Sequence, residues 1–171
     1  TGAVIVTTPQ DIALLDAKKG VKMFEKVGVP ILGLVENMAV HVCTNCGHVE
    51  HIFGADGGKK MAAEYGMDYL GALPLDMQIR LQADSGKPTV VYDPDGEVAQ
   101  IYKAVARQVA VKIAAKAKEI SALETARDAA MASGDMKEFK DKNKQVRALR
   151  SEIEKLKVEP RYGLCLNGEP A

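Results

Sequence analysis

Continuous apolar runs in the first part of the chain alternate with stretches whose apolar positions recur at helical spacing. The runs GAVIV, PILGLVEN and DYLGALP predict three strands buried on both faces, as in a parallel sheet. The stretches between them predict helices, the second over residues 56–65, and a short helix with a turn follows over 75–88. The piece TVVYDP predicts a short extended segment, and a long helix begins at Asp95. This alternation predicts a doubly wound, mostly parallel α/β sheet.

The pattern changes near Glu119, where the chain becomes rich in Ala, Glu, Lys and Arg. After a break at SGD, apolar residues recur at heptad spacing. These residues are Phe139, Val146, Leu149, Ile153 and Leu156. We therefore expect an α/β domain over residues 1–118, a helical hairpin or coiled coil over 119–158, and an extended tail over 159–171. The hairpin either folds on its own domain or contacts a second copy or another partner.

Composition limits the classes of function. Lysine plus arginine (23) balances aspartate plus glutamate (23), and aromatic residues make up only 5%, so neither a basic patch nor a base-stacking platform is indicated. No apolar run approaches the roughly 20 residues that span a bilayer. Three cysteines, an odd number, suit a reducing compartment better than a disulfide framework. We therefore expect a cytoplasmic protein that binds neither nucleic acid nor membrane.

The segment HVCTNCGHVEH holds two of the three cysteines, Cys43 and Cys46, and every histidine of the chain. A Cys-x-x-Cys pair followed by glycine is typical of a metal-binding turn. Four interpretations stay open. Zinc could use both cysteines and two histidines, with His48 and His51 as the candidates. An iron–sulfur cluster needs four thiolates, which two chains could supply together. A redox dithiol and a surface loop without function are the others, and Cys165 is expected to be an ordinary thiol.

No other catalytic pattern stands out in the sequence. GADGGKKM lacks the G-x-x-x-x-G-K-[ST] spacing of a phosphate loop, and a methionine stands where a hydroxyl would bind magnesium. No Ser–His–Asp arrangement or carboxylate pair is apparent. The chain also opens directly on a core strand and without an initiator methionine, so we expect it to be a segment of a longer fold.

Several stretches together resemble one family. They are GAVIVTTPQDIALLDAKKGVKMFEKVGVPILGLVENM, VCTNCGHVEHIFG, GGKKMAAEYG, YLGALPLDMQIRLQADSGKP and the helix from EVAQIY. In this order they look like the C-terminal half of the Mrp/ApbC-type iron–sulfur cluster carriers, ATPases related to the MinD/ParA group with a deviant Walker A motif. The resemblance covers roughly residues 1–118.

The resemblance implies a P-loop NTPase-like fold and a homodimer that holds a labile [4Fe–4S] cluster and passes it to apo iron–sulfur proteins. It implies that Cys43 and Cys46 of each subunit bind the cluster between them. It also implies that Asn37 and the segment Pro74, Leu75 and Asp76 border the adenine of ATP.

Two departures from the family pattern matter. The family's phosphate loop and its magnesium-positioning aspartate precede the region matched here, so we do not expect this chain to hydrolyse ATP by itself. The helical hairpin has no counterpart in the resemblance. The alternative function is a non-enzymatic, zinc-stapled interaction module that uses the hairpin as its binding surface. A MinD/ParA-like positioning ATPase is disfavoured because no amphipathic membrane-binding tail is apparent.

Overall fold

The fold is taken from a computed structural model, which describes residues 2–154. The chain divides into two compact units, one over Gly2–Lys118 and one that begins at Glu119. In chain order the elements are β1 (Ala3–Thr7), α1 (Asp11–Lys26), β2 (Ile31–Glu36), β3 (His41–Val42), β4 (Val49–Glu50), α2 (Gly57–Glu64), β5 (Tyr69–Ala72), α3 (Met77–Asp84), α4 (Thr89–Tyr92), α5 (Glu97–Ser133) and α6 (Met136–Glu154).

The first unit is built on a three-stranded parallel sheet in the order β1-β2-β5. Val35 in the central strand lies beside Val6 of β1 and Gly71 of β5. A separate two-stranded antiparallel ribbon, β3-β4, is inserted between β2 and α2. The three predicted strands are confirmed, and the inserted ribbon carries the cysteine pair.

Helices cover both faces of the sheet. On one face, Ile5 and Leu34 of the sheet form a buried cluster with Val21 of α1 and Met61 of α2. On the other face, a cluster of Val35, Leu70 and Leu73 packs against the apolar side of α5. Because β2 is buried on both sides, its sequence is a continuous apolar run rather than an alternating one. The predicted doubly wound α/β architecture is therefore confirmed.

The prediction of an extended segment over residues 89–94 is wrong. Residues Thr89–Tyr92 form the single helical turn α4. The carbonyl of Pro88 accepts hydrogen bonds from the N–H groups of Val91 (2.8 Å) and Tyr92 (3.0 Å). These local bonds satisfy the backbone without a neighbouring strand, and they outweigh the β propensity of the valines.

Helix α5 begins in the first unit and continues into the second, where α6 follows it. Helix α5 ends before Gly134, whose φ of +77° lies in the left-handed region that favours glycine. Asp135 then caps α6, since its Oδ1 accepts from the N–H groups of Lys137 and Glu138. Val146 on α6 is buried as the heptad pattern predicted.

Leu156, the tail 159–171 and Cys165 lie outside the described residues. Within residues 2–154 no helix is long and apolar enough to cross a membrane.

Candidate metal centre

The two cysteines occupy the turn of the inserted ribbon. Strands β3 and β4 pair so that His41 faces Glu50 and Val42 faces Val49. Cys43 follows β3 directly, and Cys46 lies at the exposed tip of the turn. The pair is therefore presented to solvent at the end of a short ribbon rather than inside the α/β core.

Backbone hydrogen bonds fix the turn around Cys43. Its N–H donates to the carbonyl of His48 at 2.9 Å, and the N–H of Gly47 donates to the carbonyl of Cys43 at 2.8 Å. Gly47 has a φ of +72°, a conformation that other residues adopt only with strain. The glycine that follows the second cysteine thus allows the tight turn that the sequence predicted.

The same turn favours the thiolate form of Cys43. The backbone N–H groups of Cys46 and then Asn45 hydrogen-bond to the Cys43 sulfur and lower its pKa from the ordinary value. The Cys46 thiol adds to this effect, while partial burial opposes it. Since donors that point at sulfur stabilise its negative charge, and the thiolate is the form that binds metals, the turn is prepared for a metal or cluster ligand.

Two of the three histidines hold the ribbon through backbone carbonyls, His41 to the segment that follows β5 and His51 to the segment that follows β2. Nδ1 of His41 lies 3.0 Å from the carbonyl oxygen of Leu75, and Nδ1 of His51 lies 3.0 Å from that of Ala39. Because a carbonyl oxygen only accepts, each Nδ1 carries the hydrogen. His48, in contrast, is mostly exposed, with Nε2 4.0 Å from a carboxylate oxygen of Glu50. His41 and His51 therefore have structural partners of their own.

Cys43 and Cys46 do not gain further ligands from the described part of the chain. Within residues 2–154 no group of three or more His, Cys, Asp or Glu side chains is placed to hold a metal ion. The described residues thus do not gather His48 and His51 with the cysteines into one group, and the zinc alternative stays a prediction. The ribbon presents two thiols, which is half of the ligand set of a four-thiolate cluster.

The residues expected at the adenine lie at the same edge of the sheet as the ribbon. The segment that follows β2 continues beside the segment that follows β5, with Ala39 N–H donating to Leu73 O at 3.0 Å and Leu75 N–H to Val40 O at 2.8 Å. This pairing brings the backbone of Asn37 and of residues 74–76 to the carboxyl ends of neighbouring strands. Open α/β sheets bind their ligands at this edge.

Comparison with known proteins gives a consistent result. The family model of the NUBPL iron-transfer P-loop NTPases matches residues 1–110. This chain belongs to that family. An iron-sulfur cluster carrier protein of Pseudomonas fragi is 63% identical over 105 residues, which are 61% of this chain and 37% of that protein. The iron-sulfur cluster carrier protein of Escherichia coli K12 is 56% identical over 113 residues, which are 66% of this chain and 31% of that protein.

A solved structure supports the fold of this iron-transfer NTPase family member. The septum site-determining protein MinD of Pyrococcus horikoshii, in complex with Mg-ADP, matches with a TM-score of 0.50 and 27% identity over 63% of this chain and 40% of its own. The resemblance found in the sequence is thus confirmed at the level of family and fold. The present chain spans about a third of the length of the curated relatives it matches (37% and 31%).

Side chains at the expected adenine edge already have partners in this family member. Asn37 Oδ1 accepts from the N–H of Met38 at 3.0 Å. The amide nitrogen of Asn37 is the group that could donate to a base. Asp76 Oδ1 accepts from the N–H of Gln78 at 2.6 Å and caps α3. Asn37, Pro74, Leu75 and Asp76 are all partly buried. Their role at adenine stays a prediction.

Sequence reasoning did not single out Glu36, the last residue of β2. This residue is only 3% exposed, and its Oε2 accepts a hydrogen bond from the N–H of Gly58 in α2. A carboxylate that ends an apolar run, as in LVENM, is the signal in the sequence, because acidic side chains are almost never buried without a partner.

Proposed function

We propose that this chain is part of an iron–sulfur cluster carrier and that Cys43 and Cys46 supply two of the cluster's thiolate ligands. The observation that carries the proposal is the cysteine turn, which presents two thiols at an exposed tip with backbone N–H groups directed at the Cys43 sulfur. Relatives named iron-sulfur cluster carrier protein support the same role. The cluster is the cargo of this activity.

We propose further that two copies of the chain hold one [4Fe–4S] cluster between them. Four thiolates complete such a cluster, and each copy offers two from its cysteine turn. Exposed apolar side chains surround this turn: Val42 is 49% exposed, Val49 53% and Ile52 54%. An apolar rim of this kind suits contact with a second copy or with a recipient protein.

Exposure of the pair also suits transfer of the cluster to an apo-protein. An incoming cysteine thiolate can attack an iron atom and form a new iron–sulfur bond as the bond to Cys46 breaks. The released thiolate takes up the proton that the incoming thiol has lost, so the oxidation state of the cluster does not change. A pair buried in the α/β core would block this ligand exchange.

A nucleotide role is proposed for the neighbouring strand ends. Asn37 and residues 74–76 would border adenine in the ATP-dependent protein, with the Asn37 amide nitrogen as a donor to the base. Binding of ATP with magnesium by the whole protein would act on the cysteine ribbon through the Leu75 carbonyl, which holds His41. A shift of the Asn37 side-chain amide resonance on addition of ATP would support this arrangement, and Asn37→Ala, which removes that resonance, identifies the signal as that of Asn37.

The experiment that tests the carrier proposal is anaerobic reconstitution with iron and sulfide, followed by iron, sulfide and mass analysis in solution. We expect about four irons and four sulfides per two chains, in a species of dimer mass. Cys43→Ser and Cys46→Ser should abolish the iron–sulfur absorbance and the dimer. The matched control is Cys165→Ser, which removes the third thiol and should keep both.

Two results would contradict the proposal. One is tightly held zinc on a monomer with no sulfide retained, which would make the turn a structural staple. The other is loss of the cluster with Cys165→Ser to the same extent as with Cys43→Ser, which would overturn the assignment of two ligands per chain.

A further inference from the structure

A buried carboxylate lies at the base of the segment that carries the cysteines. The chain leaves the sheet at Glu36, runs through the cysteine loop (residues 37–56), and enters α2 at Gly57. The Oε2 atom of Glu36 accepts from the N–H of Gly58, so one side chain joins the start of the loop to its end. Glu36 is 3% exposed, so this contact is shielded from water.

Helix α2 depends on this contact for its N-terminal cap. Its N-cap residue, Asp56, has a φ of +60° and makes no side-chain capping bond, and the first turn contains no acidic residue. The first N–H groups of a helix have no partner within the helix and need one from elsewhere. Glu36 supplies an acceptor from the neighbouring strand, and its charge also favours the positive end of the helix.

The glycine at the contact is required by the close packing. A Cβ atom on Gly58 would lie 2.8 Å from Oε2 of Glu36 and 2.9 Å from Cδ2 of Leu34. Distances this short would force the Glu36 carboxylate, the Leu34 side chain or the helix start to shift and so disturb the contact. Glu36 and Gly58 thus form a matched pair, in which the absence of a side chain on one residue admits the carboxylate of the other.

The two arms of the cysteine loop differ in how they are held. The outgoing arm is fixed to the sheet by several bonds, among them Asn37 N–H to Thr7 O at 2.7 Å and Ala39 N–H to Leu73 O at 3.0 Å. The returning arm pairs with the outgoing arm through β3 and β4, contacts Ala39 O through His51, and reaches the sheet at Glu36. Met61 and Ala62 anchor the body of α2 in the core, so loss of the Glu36–Gly58 contact would act on the start of α2 and on the returning arm that leads into it.

We propose that Glu36 is a positioning residue for the cysteine pair. By holding α2 against the end of β2, it keeps the sulfur atoms of Cys43 and Cys46 in a geometry in which both thiolates can bind the same ligand. The proposal deepens the carrier function and rests on it, since the cluster is the ligand that this geometry would serve. Glu36 acts on the thiols through the loop.

The first test measures hydrogen exchange of the cysteine-loop amides in the full, metal-free chain. Glu36→Ala and Gly58→Ala should each speed exchange over residues 42–56 by about 10- to 100-fold, because a hydrogen bond to a charged acceptor is lost. Glu36→Gln keeps a neutral acceptor and should restore most of the protection. Exchange of the Leu34 and Leu70 amides reports whether the α/β core is intact in each variant.

Two variants serve as matched controls. Glu64→Ala removes a carboxylate of the same helix, but one that makes an exposed ion pair with Lys18 at 2.9 Å. Gly20→Ala adds the same methyl group to a helix at a position with open space around it. Both should keep loop exchange within about threefold of the wild-type rate, as expected for surface changes.

The second test measures the thiol pair itself with phenylarsine oxide, in a Cys165→Ser background. The reagent's arsenic forms two As–S bonds, one to each cysteine, with loss of one water, and a competing dithiol then removes it. Glu36→Ala and Gly58→Ala should speed this removal by about tenfold, while Glu36→Gln and both controls should leave it near the wild-type rate.

The outcomes separate the two proposals. Unchanged loop exchange in both Glu36→Ala and Gly58→Ala overturns the inference, as does faster exchange with unchanged arsenical removal, since Glu36 would then be structural only. Neither measurement uses iron or sulfide. If the chain fails to bind a cluster but the variants behave as stated, the carrier function fails and the positioning role of Glu36 stands.

Discussion

The parallel sheet and the cysteine ribbon of the first unit are held by different forces. In the sheet, Leu34 is 0% exposed and Leu70 1% exposed, and the two side chains pack against helices on opposite faces. In the ribbon, Val42 and Val49 are about half exposed (49% and 53%), and polar contacts from His41 and His51 attach the ribbon to the unit. Packing in the sheet should therefore contribute most of the free energy of unfolding, while the geometry of the thiols should depend on a few hydrogen bonds.

The largest effect that this comparison predicts is on global stability. Leu34→Ala removes a side chain that is 0% exposed and leaves a cavity between β2, α1 and α2. We expect the free energy of unfolding to fall by about 2–5 kcal/mol, measured by urea denaturation of the metal-free chain. The cysteine pair of the folded fraction should still bind phenylarsine oxide.

The matched control for Leu34→Ala is Val42→Ala in the ribbon, where an exposed apolar side chain is shortened. Its effect should stay within about 0.5 kcal/mol. A loss from Val42→Ala as large as that from Leu34→Ala would contradict the comparison, because the ribbon would then be part of the cooperative core.

A smaller and more local effect is expected at the histidine attachments. His51→Ala removes the donor to Ala39 O, and we expect a local loss of about 0.5–1.5 kcal/mol. The loss should appear as faster amide exchange over residues 41–52, with little change in urea denaturation, because the sheet does not depend on this bond.

His48→Ala is the control for that prediction, since it removes a mostly exposed histidine of the same ribbon. In the metal-free chain it should leave exchange over residues 41–52 close to the wild-type pattern. Equal acceleration in His48→Ala and His51→Ala would mean that the Nδ1 contact to Ala39 contributes nothing.

The sequence was most informative where one residue type implies one environment. Continuous apolar runs predicted the buried parallel strands because a strand covered on both faces leaves no room for polar side chains. The Cys-x-x-Cys-Gly pattern predicted the turn because a two-residue spacing lets two thiols converge, and Gly47 does adopt the left-handed conformation. Asn37 and residues 74–76 lie at one edge of the sheet, as their shared place in the family resemblance implies, because neighbouring parallel strands end together.

Contacts between distant parts of the chain could not be predicted in this way. The pairing of Glu36 with Gly58 depends on where α2 packs, and neither residue has a local pattern that names its partner. The histidines suggested a zinc site because they lie beside the cysteines in the sequence. In the fold, the Nδ1 atoms of His41 and His51 instead contact backbone carbonyls. The extended segment predicted over residues 89–94 followed from the β propensity of the valines, which gives no sign of the hydrogen bonds that the Pro88 carbonyl accepts.

The smallest effect predicted here is a pH dependence at the start of β5. Burial, followed by the negative charges of Glu36 and Asp56, raises the pKa of Tyr69 to about 12. In the unfolded chain a tyrosine has a pKa of about 10. Below pH 10 both states keep the proton, so the full contribution to stability is present. Between about pH 10 and 12 only the unfolded state releases the proton, and stability is lost as pH rises.

Tyr69→Phe tests this pH dependence because it removes the titrating group and keeps the ring. We expect the urea midpoint of the variant to fall less between pH 9 and pH 11 than that of the wild-type chain, by a small margin because Tyr69 is only partly buried and water screens its surroundings. Tyr92→Phe is the control, since Tyr92 is 62% exposed, and its midpoint should follow the wild-type pH dependence. If Tyr69→Phe lost stability as steeply as Tyr92→Phe, neither burial nor the charges of Glu36 and Asp56 would raise the pKa of Tyr69, and the start of β5 would be more open to water than the structure indicates.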